Sequence, residues 1–220
     1  MNDKDFEKLV FGMAHQIRNP CAIILSNARV VLKKEALSPE AKRSLESIVN
    51  GVKYLEQRLD EFVEFSKPLA LKLEVLSVQK LLQEAAAILK DQCELKRARI
   101  SCNVEDNLTL KRADRNQLAL AVLNVVLNAV ESVKEGGGIQ LEGKSEKGNA
   151  VITVRDDGAG IHPRDIPEVL SPFYSTKPNS IGIGLSVAKR IVLAHGGEIS
   201  LASELGKGTI VTIHLPIGER

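Results

Sequence analysis

Between residues 39 and 66, Leu45, Ile48, Val52, Leu55, Leu59 and Phe62 advance by alternating steps of three and four. An α-helix turns once in about 3.6 residues, so this spacing lays all six side chains along one seam. A strand, with its period of two, would scatter them over both faces. Upstream, Phe6, Val10, Met13, Ile17, Ile24, Ala28 and Val31 keep the same rhythm, with Pro20 and Cys21 where the missing step falls. Ser38-Pro39 separates the two patterns and reads as a helix start, serine capping and proline at the first helical position. Residues 3–66 therefore predict an antiparallel helical hairpin. Its apolar stripes are too long for one helix pair to cover, so two hairpins are expected to form a dimeric four-helix bundle.

Pro68 ends the second pattern, and the periodicity changes. Residues 77–95 read as helical, 99–104 and 108–111 as short strands, and 114–134 as a helix. Strands are expected near 139–145 and 150–155, with an irregular stretch over 158–180. A helix at about 182–195 and a final hairpin, "GEISLASELGKGTIVTIHLP", complete the chain. Strands with helices on one side make an α+β sandwich. The expected organisation is a hairpin over 1–67, a linker over 68–76 and a sandwich domain over 77–220.

Composition narrows the partners. Thirty basic residues against 28 acidic leave a net charge of +2, which gives no electrostatic footprint for nucleic acid. No apolar run approaches the ~18 residues of a membrane span, so no membrane contact and a cytoplasmic location are expected, within a larger sensor protein or alone. Three cysteines without metal-ligand spacing read as reduced thiols.

His15 breaks the seam pattern. It lies roughly 160° around the helix from Met13 and from Ile17, so it faces outward. Pro20, five residues on, cannot donate to the carbonyl of Gln16 and is expected to bend the helix just past the histidine.

In "DRNQLALAVLNVVLNAVESV", helical spacing gathers Gln117, Asn124, Asn128 and Glu131 into one stripe opposite Leu118, Val122, Val125 and Ala129. Asparagine is a mediocre helix former, and a merely solvated face would more naturally use Lys and Glu. Amide oxygens can ligate Mg²⁺ and amide nitrogens can reach phosphate. "VITVRDDGAGI" then ends a β-run at Asp156, where Gly158 and Gly160 let the backbone turn close to a ligand. A carboxylate there can accept from an exocyclic amine such as that of adenine. "PFYSTKPNSIGIGL" adds Thr176, Lys177, and the pair Gly182 and Gly184 before Leu185 at a helix start, a setting that offers free N–H groups to phosphate. "GKGT" brings Gly208 and Thr209 at the last strand.

In this order the motifs resemble the ATP-binding domain shared by sensor histidine kinases, DNA gyrase, heat-shock chaperones and mismatch-repair clamps. "HQIRNP" on a dimeric hairpin narrows the resemblance to the two-component histidine kinases, across residues 6–216. It implies an ATP:protein-histidine phosphotransferase, a homodimer with ATP and Mg²⁺ as ligands. His15 would be the phospho-acceptor, which passes its phosphoryl group to an aspartate of a response regulator receiver domain. Gln16 and Asn19 complete the catalytic set. Asn128 matches the Mg²⁺ ligand, with Asn124 its neighbour one turn earlier. Asp156 matches the adenine-binding carboxylate, supported by Gly158 and Gly160. Thr176 and Lys177 fall in the lid; Gly182, Gly184 and Leu185 fall near the phosphates, and Gly208 and Thr209 in the last motif.

Two positions depart from the family pattern. Gln16 stands where an acidic residue usually follows the histidine; its amide can orient the ring but cannot take a full proton. Ser180 stands where the lid motif often has its first glycine. Two other readings stay open on sequence alone. One is a clamp-type ATPase of the same nucleotide fold, disfavoured because Asn124 replaces the usual glutamate. The other is an ATP-binding dimeric scaffold without catalysis.

Overall fold

A computed structural model describes residues 3–34, 37–67, 69–177, 180 and 182–218, with 3–9, 58, 61, 64 and 65 described without their side chains. Pro68, expected to end the hairpin, and the side chain of Phe6 thus lie outside the described set. The chain divides into two compact units, Met1–Pro68 and Leu69–Arg220.

The first unit holds α1 (Asp3–Leu32) and α2 (Pro39–Ser66). Ser38 caps α2, its hydroxyl accepting from the amide of Ala41 at 3.1 Å. Val10 and Ala14 of α1 pack on Leu59 and Val63 of α2, while Cys21 and Leu25 pack on Val52. Early residues of one helix thus meet late residues of the other, which makes the pair antiparallel. Arg18 Nη2 and Asp60 Oδ1 add an exposed ion pair at 2.6 Å. α1 continues through Pro20 as one helix.

The seam divides differently from the expectation. Met13, Ile17, Ile24, Ile48 and Leu55 are all exposed in the single hairpin. Ala14, Cys21 and Leu25 take the interior instead, because a helix facing one partner buries only a narrow strip. At 100° per residue the exposed Met13, Ile17 and Ile24 lie on one flank of that strip. His15 lies on the other flank. Its outward orientation therefore stands, although the neighbours used to place it are themselves outside the buried strip.

In the second unit the elements run β1 (Glu74–Ser77), α3 (Val78–Ile88), α4 (Lys90–Leu95), β2 (Arg99–Val104), β3 (Thr109–Ala113), α5 (Arg115–Ser132), β4 (Gly138–Glu146), β5 (Asn149–Asp156), α6 (Gly184–Ala194), β6 (Glu198–Glu204) and β7 (Gly208–Pro216). Five strands form one sheet in the order β2-β4-β5-β7-β6, with β2 parallel to β4 and every other pair antiparallel. β1 and β3 pair separately. α3, α5 and α6 cover the large sheet, and Leu82, Leu118, Val126, Leu141, Ile152, Ile191 and Ile213 are among the buried residues of the single core between the layers.

Two elements differ from the sequence reading. The stretch expected as linker gives way at Glu74 to β1, where Leu76 is buried while its neighbour Val75 faces out. The helix expected over 77–95 divides at Leu89, whose buried side chain anchors the junction, into α3 and α4. Ser77 caps α3 through the amide of Lys80.

Candidate functional site

α5 is the long wall of the site, and it is fixed at both ends. At its N-terminus, Asp114 Oδ1 accepts from the amide of Gln117 at 3.0 Å, and Oδ2 accepts from the amide of Lys72 at 2.7 Å. The Asp114 amide in turn donates to His195 Nε2 at 2.9 Å, while His195 Nδ1 faces the Ile191 carbonyl at 2.8 Å. That pair of partners requires the tautomer with its proton on Nδ1. Burial works to raise the Asp114 carboxyl, but the amides of Lys72, Gln117 and Asn116 outweigh it and hold the group below the ordinary aspartate range. At the C-terminus, Lys96 Nζ donates to the carbonyls of Val130, Glu131 and Val133 at 2.9, 2.8 and 3.2 Å. A cation on the last carbonyls of a helix also complements its dipole.

Between these anchors, Leu118, Val122, Val125 and Ala129 are buried. Gln117, Asn124 and Asn128 are half-buried and Glu131 is exposed, on the opposite stripe. The amide nitrogen of Asn124 donates to the Leu120 carbonyl at 3.0 Å. Its oxygen lies 3.0 Å from where a Cβ on Gly184 would stand, and the Asn128 amide nitrogen 3.8 Å from it. The start of α6 therefore abuts both asparagines. Ile183, at its N-cap, supplies no side-chain hydrogen bond, so the first-turn amides of α6 are left for other acceptors.

The opposite wall begins at Asp156, the last residue of β5, only 6% exposed. Its Oδ1 accepts from the Gly158 amide at 2.9 Å. Burial pushes this carboxyl above the ordinary aspartate value and the Asp157 charge adds to the rise; the amides of Gly158 and Thr209 and the charge of Lys177 pull the other way. Asp157 is occupied elsewhere, both its oxygens accepting from the Gly138 amide at 2.9 Å. Only glycine fits two positions around Asp156. A Cβ on Gly158 would stand 2.5 Å from the Ser132 carbonyl oxygen, at the end of α5. One on Gly208, where φ is +103°, would stand 1.9 Å from the Asp156 carbonyl oxygen. Thr209 pairs with Asp156 across the sheet and its hydroxyl lies 2.9 Å from that of Ser203. Gly160 lies against the Glu204 carbonyl in the same way.

The segment between β5 and α6 brings Lys177 across to α5. Its Nζ lies 3.1 Å from Asn128 Oδ1 and 2.5 Å from Glu131 Oε2. Thr176 beside it is exposed, and Leu185 packs half-buried against the core. Gly182 donates to the Ser180 hydroxyl at 3.3 Å, so the serine in the first glycine's place has a bond of its own. In the first unit, His15, Gln16 and Asn19 are exposed on α1.

Two family models match, the "His Kinase A (phospho-acceptor) domain" over residues 7–70 and the "Histidine kinase-, DNA gyrase B-, and HSP90-like ATPase" over 113–219. The chain belongs to the two-component histidine kinases. Among relatives of this chain, sporulation kinase D of Bacillus subtilis (strain 168) is 32% identical over 210 residues, covering 95% of the chain and 41% of that protein. The sensor histidine kinase ZraS of Salmonella typhimurium is 29% identical over 210 residues, again 95% of the chain and 45% of that protein. The chain thus spans less than half the length of either relative. Full-length ShkA, solved with AMPPNP, shares the fold at a TM-score of 0.76 and 23% identity, over 97% of the chain and 46% of ShkA. ThkA, solved in complex with the response regulator protein TrrA, matches at 0.70 and 25%, over 96% of the chain and 61% of ThkA.

The sequence did not single out Asp114, His195 or Lys96 as the fixings of α5. Asp114 carries a legible signal, an aspartate three residues before Gln117 at a helix start; the other two do not. Glu131 was visible in the polar stripe, but its partner Lys177 lies 46 residues away. No helix among the described residues is long and apolar enough to cross a membrane.

Proposed function

We propose that this chain is the autophosphorylating core of a sensor histidine kinase. The second unit binds ATP, His15 accepts its γ-phosphoryl group, and an aspartate of a response regulator receives it from there. The observation that carries this reading is the exposure of His15 directly after fully buried Ala14, on the flank of α1 away from the exposed stripe of Met13, Ile17 and Ile24. That placement keeps the imidazole reachable whether or not a second hairpin covers the stripe.

The residues fit the nucleotide. Asp156 faces the purine as acceptor for its exocyclic amine, with Gly158, Gly160, Gly208 and Thr209 holding it at the strand end. The open first-turn amides of α6, with Gly182 and Gly184 ahead of Leu185, suit the phosphates, and Thr176 and Lys177 stand in the lid above them. Asn128 fits a divalent cation because its side-chain oxygen already accepts a cation, the Lys177 ammonium. Bound Mg²⁺ would supply charge neutralisation on the β- and γ-phosphates.

In the transfer, the lone pair of His15 Nε2 forms the N–P bond while the bond from the γ-phosphorus to its bridging oxygen breaks. ADP leaves with that electron pair. Gln16 acts as a positioning residue, its amide oxygen accepting from Nδ1–H and presenting Nε2 to the phosphorus; the Nδ1 proton goes to solvent afterwards. Asn19, one turn on, is placed to orient a water for removal of phosphate from the regulator. Asn19→Ala is expected to slow loss of label from a phosphorylated regulator. The exposed stripe of Met13, Ile17, Ile24, Ile48 and Leu55 is the surface for a second copy of the hairpin.

Incubation with γ-labelled ATP tests the reading. Acid-labile, base-stable label that disappears in His15→Ala supports it. Release of free phosphate without protein label would favour a clamp-type ATPase, and neither product would leave a scaffold.

A further inference from the structure

Asn128 Oδ1 and Glu131 Oε2 sit one turn apart on α5 and converge on the same ammonium, at 3.1 and 2.5 Å. Two hard oxygen donors aimed at one point, one of them charged, suit a divalent cation better than a lysine. The lysine supplies one positive charge where Mg²⁺ would supply two. Glu131 has no part in the transfer described above, and a bare carboxylate beside a triphosphate would repel it. The contact is also half-exposed, with Lys177 and Glu131 side chains 37% and 47% accessible. Surface pairs of this kind are weak and exchange readily.

We infer that Lys177 and the divalent cation compete for the oxygens of Asn128 and Glu131. Glu131 is the positioning residue of that exchange. Without nucleotide it holds the lid lysine on α5 and its own charge is cancelled. When Lys177 turns to the phosphates, the vacated carboxylate faces the cation, and the local charge on α5 changes from nil to −1. Lid movement and cation capture are thereby coupled through one side chain. The inference rests on the proposed ATP-dependent reaction and specifies its cation step.

The test is a Mn²⁺ titration of the nucleotide-free chain, followed by electron paramagnetic resonance of the free ion at low salt. Lys177→Met is expected to tighten Mn²⁺ binding by about threefold or more, by uncovering both oxygens. Lys177→Arg, which keeps the charge, is expected to bind Mn²⁺ as the parent does. Glu131→Gln added to Lys177→Met is expected to abolish the gain. Unchanged or weaker binding in Lys177→Met overturns the inference. So does an equal gain in Lys177→Arg, or a gain that survives Glu131→Gln. A fluorescent ATP analogue and His15 labelling on the parent chain separate the two levels. If the parent neither binds the analogue nor labels His15, the proposed function fails; if it does both and Lys177→Met leaves Mn²⁺ binding unmoved, only the cation exchange fails.

Discussion

The backbone amide of Asp114 donates to Nε2 of His195 at 2.9 Å, across 81 residues of sequence, and so ties the start of α5 to the end of α6. Removing the ring leaves a buried amide and the Ile191 carbonyl without that partner. An unsatisfied buried polar group costs about 1–3 kcal/mol. His195→Ala is therefore expected to lower unfolding stability by that amount in urea titrations. An unchanged midpoint would mean that the ring contributes nothing to the junction.

Asp114 makes the same junction sensitive to acid. Its folded-state value is held below the ordinary aspartate value of about 3.9. A depressed carboxyl stabilises the fold fully above the unfolded value and loses that contribution as pH falls through the folded one. The stability difference between the parent and Asp114→Asn is expected to be full at neutral pH and to shrink steadily below about pH 4. A difference independent of pH would show that the carboxylate charge is not what the amides of Lys72 and Gln117 select.

Asp156 titrates in the opposite sense. Burial raises its carboxyl, so on acidification it takes up a proton before an ordinary aspartate would. Binding of a fluorescent ATP analogue should weaken as pH falls through that raised value, while Asp156→Ala binds weakly at every pH. Losing a hydrogen bond to a charged acceptor corresponds to about 10- to 100-fold in affinity. A parent and variant with the same pH profile would place the purine elsewhere.

Gln16 limits the acceptor. Glutamate in its place could take the Nδ1 proton as Nε2 attacks, and general base assistance is typically worth ~10²–10⁴-fold. Gln16→Glu is expected to raise the initial rate of His15 labelling by about tenfold or more. An unaltered rate would remove Gln16 from any part in the proton's path.

What could be read from the chain alone follows the range of the interactions. The stripe of Asn124, Asn128 and Glu131 and the strand ending at Asp156 are set by local periodicity, and both were legible. The hairpin was legible too, but not which apolar residues face its own partner helix. Met13 and Ala14 are neighbours with opposite fates, because the same rhythm serves two faces and the sequence does not rank them. Least legible were the ties between distant segments: Lys96 on the α5 carbonyls, His195 on Asp114, Lys177 on Glu131. Each joins ordinary surface residue types, and only the folded chain brings their partners within reach.

The double anchoring of α5 has a consequence for how affinity can evolve in such a cleft. With Lys96 clamping one end of the rod and Asp114 the other, its asparagines have almost no play. Adaptation to a different nucleotide, inhibitor or ion falls to the opposite, lysine-bearing segment, whose Lys177 meets the rod through a half-exposed ion pair to Glu131 and a hydrogen bond to Asn128. Drift is cheap on that side and costly on the other.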